Sequence, residues 1–346
     1  MSRRSMKSLV PAVVAGLMLA APAASFAEST PEYHVTRTVA LGAPDRWDYV
    51  VFDPASGRVY VAHGDEVTVV DGKSGDIAGH VKGLPGGTHG VALVTSLGIG
   101  FTDDGEAGQA ASFDLKSLSV KTRIKAAEDA DAIAFDPTSG HVFVINGDTG
   151  TITVIDPKTS AVVATIQGGG KLEYAVPSGA GQLYVNGAGQ KEVLRVDTRS
   201  NRVDARWPVP DCTSPHGLAL DPATHRLFVS CLNNILTVVD SDSGKVVTKL
   251  PIGSGSDAVV FDPKRKLIFS SNGRDGTLSV IEERDAQTFV SLGSIKTTLS
   301  ARTMGIDPAT GRIYLAAADV DPSTTGQKRP AILPGSLKLL ILDPAH

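Results

Sequence analysis

Two aspartate–histidine couples stand at the same spacing in the chain, Asp48 with His63 and His89 with Asp104. Imidazole nitrogens and carboxylates together suit zinc or another divalent ion with one position left open for water, although such couples also serve as plain hydrogen-bonded ion pairs. At corresponding points further along lie Asp131, His216, Asp257 and Arg302, and one unit departs from the pattern with Glu173-Tyr174. An acid, a phenol and a guanidinium are groups from which a lyase or lactonase takes a base, a proton donor and a carboxylate clamp. The plainer alternative is a rim acid beside a rim arginine. Trp47, next to Asp48, either stacks on a ligand or caps the core, whereas Trp207 reads as outer packing.

These residues recur because the chain repeats. Asp-Pro stands at Asp53-Pro54, Asp136-Pro137, Asp221-Pro222, Asp262-Pro263 and Asp307-Pro308, with degenerate copies at Val94-Thr95 and Pro177-Ser178. The residues before them fall at 52, 93, 135, 176, 220, 261 and 306, which makes seven units spaced 41 to 45 residues apart. Within a unit the segments alternate with period two and are rich in β-branched residues, as in Val142-Phe143-Val144-Ile145 and Thr151-Ile152-Thr153-Val154-Ile155, with Gly, Pro, Asn and Asp between them. Four strands in about 40 residues is the signature of a propeller blade, so the fold class expected is an all-β, seven-bladed β-propeller with four antiparallel strands per blade. The last unit runs out of chain before a fourth strand. The stretch HVTRTVALG (34–42) matches the outer-strand stretch KVVTKLPIG (245–253), so the N-terminal strand is expected to complete the last blade and close the ring.

The units resemble the YVTN-type β-propeller repeat, through LYVNG (183–187), VTVVDGKSGDIAGHV (67–81) and LTVVDSDSGKVVTKL (236–250). The resemblance covers nearly all of the chain after residue 27 and implies the propeller fold. It leaves function open, because the family includes surface-layer proteins, binding proteins, lactonase-like and lyase-like propellers and modules of redox enzymes.

Counting from the ladder residue as zero, residue −4 is expected opposite residue +11 across each first hairpin. That pairs Asp48 with His63, His89 with Asp104, Asp131 with Asn146, Leu172 with Gly187, His216 with Cys231, Asp257 with Asn272 and Arg302 with Ala317. All seven pairs should rim one mouth of the central channel. Trp47, Asp48, His89, Asp131, Glu173, His216, Asp257 and Arg302 are therefore the candidate ligand-binding residues. Glu173, Tyr174 and Arg302 are the catalytic candidates in the enzyme reading, and His63, His89, Asp48 and Asp104 the candidate metal ligands. The only two cysteines, Cys212 and Cys231, fall in the same repeat and are expected to form a disulfide in an oxidising compartment.

Residues 1–27 read as a secretory signal: Arg3, Arg4 and Lys7, an apolar run from Leu9 to Ala24, and a small-residue cleavage pattern ending at Ala27. Its apolar core is short for a membrane span, and no other stretch is long enough. Removing it takes away three basic residues and no acidic one, moving the net charge from −4 to −7, which argues against a nucleic-acid surface. Residues 28–346 are then expected as one propeller domain, periplasmic or secreted and monomeric. GGGK (168–171) lacks the rest of a phosphate loop, and neither a His-Glu-x-x-His nor a Gly-x-Ser-x-Gly motif occurs. No cofactor is implied beyond the candidate divalent metal. With no complete catalytic motif, the expected function is binding of a small molecule or an exported protein at the mouth, with a lyase- or lactonase-type enzyme as the alternative. The long segment Ala317 to Ser336 in the last unit reads as a lid, a partner contact or disordered decoration.

Overall fold

The computed structural model describes Met1 and residues 30–325, 327 and 330–345, so the expected secretory signal lies, Met1 apart, outside the described residues. Among the described residues, seven four-stranded antiparallel sheets follow one another along the chain. Their first strands are Trp47–Asp53, Val91–Val94, Ala130–Asp136, Leu172–Pro177, Pro215–Asp221, Ser256–Asp262 and Thr303–Ile306. Each touches the first strand of the next sheet, and the seventh touches the first, so they line a closed ring around a central channel. The chain is a seven-bladed β-propeller, with these as the inner strands of blades 1 to 7.

Burial follows from stacking blades face to face. In blade 3 the middle of the second and third strands, Val142 to Ile145 and Ile152 to Ile155, is buried on both faces, while the outer strand Ala161–Gln167 is mostly exposed. The cores lie between blades: Val59, Val61 and Val70 of blade 1 pack on Tyr314, Leu339 and Ile341 of blade 7. Adjacent sheets thus cover each other's apolar faces, which is why β-branched runs without strict alternation suit these strands.

The Asp-Pro ladder has a local cause. The buried Asp53 carboxylate accepts hydrogen bonds from Ala55 N at 3.0 Å and Ser56 Oγ at 2.6 Å, closing the tight turn between the first two strands. The turn ends at Gly57 with φ +71°, a left-handed position that favours glycine. In blade 4, Ser178 takes this role by accepting from Ala180 N at 3.0 Å. The ladder reading through Pro177-Ser178 is therefore one residue early there, and the inner strand runs on through Pro177.

Ring closure is as expected. Tyr33–Ala40 forms the outer strand of blade 7, antiparallel to Lys338–Pro344, with Tyr33 opposite Pro344 and Ala40 opposite Lys338. The expected cross-strand register at the mouth needs correction. His63 pairs with Trp47, Asn146 with Ala130, Cys231 with Pro215 and Asn272 with Ser256, each one residue earlier than expected. A bulge in the inner strand causes the slip: Asp48 and Tyr49 together occupy the space opposite one residue of the neighbouring strand. Leu172 does pair with Gly187, because a hairpin one residue shorter offsets the bulge of blade 4. In blades 2 and 7 the pairing stops short of His89 and Arg302, beginning at Val91 and Thr303.

Deleting residues 30–42 would leave blade 7 without its outer strand and remove the buried side chains of Tyr33, Val39 and Leu41, each worth about 1.5–3 kcal/mol. The expected result is a fall in melting temperature of more than about 10 °C, or loss of cooperative unfolding, by calorimetry. An unshifted transition would refute the role of this strand. Cys212 and Cys231 are disulfide-bonded across a separation of 19 residues. Replacing both by Ser should cost about 3 kcal/mol in denaturant unfolding.

Candidate functional site

The bulge decides what faces the channel. In a regular strand Asp48 would alternate with its neighbours between blade faces, but the extra residue turns it out of the sheet toward the axis. Corrected for the blade-4 offset, the equivalent positions are Asp48, His89, Asp131, Glu173, His216, Asp257 and Arg302, one per blade. Every one is ionisable. Glu173, which looks irregular in the sequence, is the regular member of blade 4, whereas Leu172 is buried behind it.

Several are held by neighbours. The Asp103 carboxylate, wholly buried, accepts from His89 N at 2.7 Å, Gly90 N at 2.6 Å and His89 Nδ1 at 3.0 Å. Nδ1 also lies 3.2 Å from Ala130 O. Two acceptors fix the proton on Nδ1 and leave Nε2 for the channel. The Arg302 guanidinium lies over the Trp47 ring, 5.0 Å from its centroid, donates to Trp47 O and pairs with Asp257 at 3.5 Å. Thr303 Oγ1 donates to Asp48 O at 2.7 Å, tying blade 7 to blade 1. Asn186 Nδ2 donates to His216 O at 2.6 Å, while His216 Nδ1 is buried without a hydrogen-bond partner among the described residues. Lys171 lies 3.8 Å from Glu173 and 3.5 Å from Asp148 at the rim.

One step deeper along two inner strands stand Tyr49 and Tyr174. Their rings meet with centroids 4.6 Å apart although they come from blades 1 and 4. The contact spans the channel and forms an aromatic floor beneath the charged ring. Trp47 is accordingly both a core residue, 5% exposed, and the platform under Arg302.

Four carboxylates converge here on Arg302, His89 and the rim lysine Lys171, and the electrostatics register the crowding. Burial pushes Asp131 up to about 6, with His89 opposing and Asp129 and Asp103 adding to the rise. Burial pushes Glu173 up to about 8, reinforced by Asp131, Asp257 and Asp48 against Lys171. Asp48 is raised well above the carboxylate range by burial, with Arg302 opposing and Asp257 and Asp131 adding. Burial works against charge on His89, but the hydrogen bond to Asp103 and the fields of Asp103, Asp48 and Asp131 outweigh it and lift the imidazole to about 10.

The proposed metal set of His63, His89, Asp48 and Asp104 is not assembled. His63 is wholly buried, with Nδ1 2.8 Å from Thr68 Oγ1 and Nε2 2.7 Å from Pro44 O, so both ring nitrogens are engaged away from the channel. Asp104 accepts from Gly86 N at 2.6 Å and pairs with Arg123 at 3.2 Å. Asp48, His89 and Asp131 come together instead, with one ligand atom from each within 4.8 Å of the others, a grouping able to hold a metal ion. The catalytic candidates are not brought together as a set: Glu173 and Tyr174 are adjacent, but Arg302 is engaged with Trp47 and Asp257. Tyr49 and Asp103 were not singled out in the sequence. The repeated Asp48-Tyr49 and Glu173-Tyr174 dipeptides carried the signal for the floor. The long blade-7 segment is anchored at the mouth by Asp45, whose carboxylate accepts from Ser336 N at 2.8 Å and Leu337 N at 3.0 Å.

Because the Glu173 pKa is raised on folding, its ionisation opposes the folded state. Its contribution is present below the usual pKa of 4.5 and is lost as pH rises through about 8. Glu173→Gln should therefore melt higher than the parent at pH 9, with the gap closing toward pH 4.5, in thermal scans across pH. A gap that does not change with pH would refute the raised acid.

No family model matches the sequence. Part of the chain is similar to the uncharacterized protein YncE of Salmonella typhimurium strain LT2 and of Salmonella typhi, each 33% identical over 150 residues, 41% of this chain and 41% of the relative. The match thus spans about two-fifths of the relatives' length. Among solved structures, a chain of Kuenenia stuttgartiensis hydrazine synthase superposes with a TM-score of 0.67 at 14% identity, covering 83% of this chain and 94% of that one. This likeness bears on the fold alone, a β-propeller, beside the partial sequence similarity to YncE.

Proposed function

We propose that this chain is an exported YVTN-type propeller, with residues 1–27 as its secretory signal and 28–346 as one domain, that binds a small ligand presenting positive charge in the cup above Tyr49 and Tyr174. The observation that carries this reading is the ring of ionisable side chains, one from each blade, in which four carboxylates outnumber the cations beside them: Arg302, engaged by Asp257 and Trp47, the His89 imidazole, and Lys171 at the rim. Burying carboxylates without enough counter-charge is costly, and a cationic occupant offsets that cost where water cannot. The disulfide and the absence, among the described residues, of a helix able to cross a membrane fit an extracytoplasmic binding protein.

One observation favours the enzyme alternative. Glu173, poised near neutrality at about 8, suits a general acid–base of a lyase or lactonase. Binding is preferred because Arg302, the clamp such an enzyme would need, is engaged with Asp257 and Trp47.

Calorimetric titration with arginine, choline and spermidine tests the reading. At least one should bind, and Asp131→Asn or Asp257→Asn should weaken it about tenfold or more, whereas Asp285→Asn on an exposed turn should not. Equal affinity in all three variants would place the site elsewhere. Turnover of a lactone panel that is lost in Glu173→Gln would favour the enzyme.

A further inference from the structure

Within the charged ring, blades 1 to 3 differ from the rest. Asp257 has Arg302 as its counter-ion and Glu173 has Lys171. Asp48 and Asp131 have neither at salt-bridge distance, and the imidazole of His89 stands with them, its ligand atom within 4.8 Å of theirs. We infer that Asp48, His89 and Asp131 form a three-ligand seat for a divalent transition-metal ion, with buried Asp103 as the positioning residue behind His89. This rests on the proposed reading of the ring as a site for positive charge and names the occupant.

Three features of the geometry support it. Asp103 accepts a hydrogen bond from His89 Nδ1 at 3.0 Å and is itself pinned by two backbone N–H groups, so the imidazole is held in one orientation beside Asp48 and Asp131, and a metal would displace the proton from its other nitrogen. A carboxylate behind a ligating histidine is the arrangement that fixes its tautomer and orientation in metal centres. Second, atoms bound to one ion at 2.0–2.2 Å stand about 3.3–3.6 Å apart in a tetrahedron. The 4.8 Å grouping must therefore contract on binding. Third, Glu173, 8% exposed and 3.8 Å from Lys171, adds its field to those of Asp131 and Asp48, so negative charge is concentrated around the triad. One nitrogen and two carboxylate oxygens suit Zn²⁺, Mn²⁺ or Co²⁺ better than a soft ion. Three protein ligands leave the remaining positions open toward the axis.

The test uses the full mature chain, stripped with EDTA, dialysed, and titrated with Zn²⁺ and Co²⁺ by calorimetry and visible absorption. One equivalent should bind, with Co²⁺ giving d–d bands. His89→Ala and Asp131→Asn should each weaken binding at least about 100-fold, and Asp103→Asn about 10–100-fold with altered bands. His34→Ala on the outer strand should change nothing, and melting curves should show every variant folded. Folded parent protein that binds neither ion, or binding that survives His89→Ala, overturns the metal seat. If arginine, choline or spermidine then still binds in a ring-dependent manner, the reading of the ring stands and only the metal falls. If neither metals nor organic cations depend on the ring, both fail.

Discussion

Everything at the mouth depends on a small irregularity in the inner strands. A strand that kept strict alternation would send −4 side chains into the faces shared with neighbouring blades, where the core is apolar and a carboxylate would find no partner. In five blades one extra residue interrupts the alternation, and in the other two the ladder ends before that position is reached. The first turn of misregister thus separates packing from chemistry. Below it the strand builds the core; at it, the strand delivers one charged group to the axis.

The charged ring in turn governs how tightly the blades must be held. Its carboxylates repel one another, so the inner strands are tied across blade boundaries by polar bridges that do not depend on the ring's charge: Tyr49 N to His89 O at 2.9 Å, Thr303 Oγ1 to Asp48 O at 2.7 Å, and Asn186 Nδ2 to His216 O at 2.6 Å. Backbone carbonyls accept these bonds, so changing a ring side chain leaves the scaffold in place. Such separation of frame and function is how one propeller geometry carries many binding sites.

The blades were legible in the sequence because their turns are chemical. An aspartate that closes its turn by accepting hydrogen bonds, as Asp53 does from Ala55 N and Ser56 Oγ, marks five of the seven repeats, and the alternation between marks gives the strands. The mouth was only partly legible. Asp48, His89, Asp131, His216, Asp257 and Arg302 could be found by counting, but their partners could not, because in blades 1, 3, 4 and 6 the bulge adds a residue without a glycine or proline within it to announce it. His63 and His89 look alike in sequence, yet one lies between sheets against Pro44 O and the other faces the axis. Blade 4 adds a second lesson: Ser178 replaces the ladder aspartate, and proline beside it drew the count one residue off.

Ring closure carries a consequence for biogenesis. The strand Tyr33–Ala40 pairs with Lys338–Pro344, so the two ends of the fold meet across some 300 residues of chain. A contact of that sequence separation forms late, after the intervening blades are built. A nascent chain still lacking its last strand has nothing for Tyr33–Ala40 to pair with, and so cannot finish folding ahead of its own synthesis. The seam that seals the cylinder thereby also times its completion.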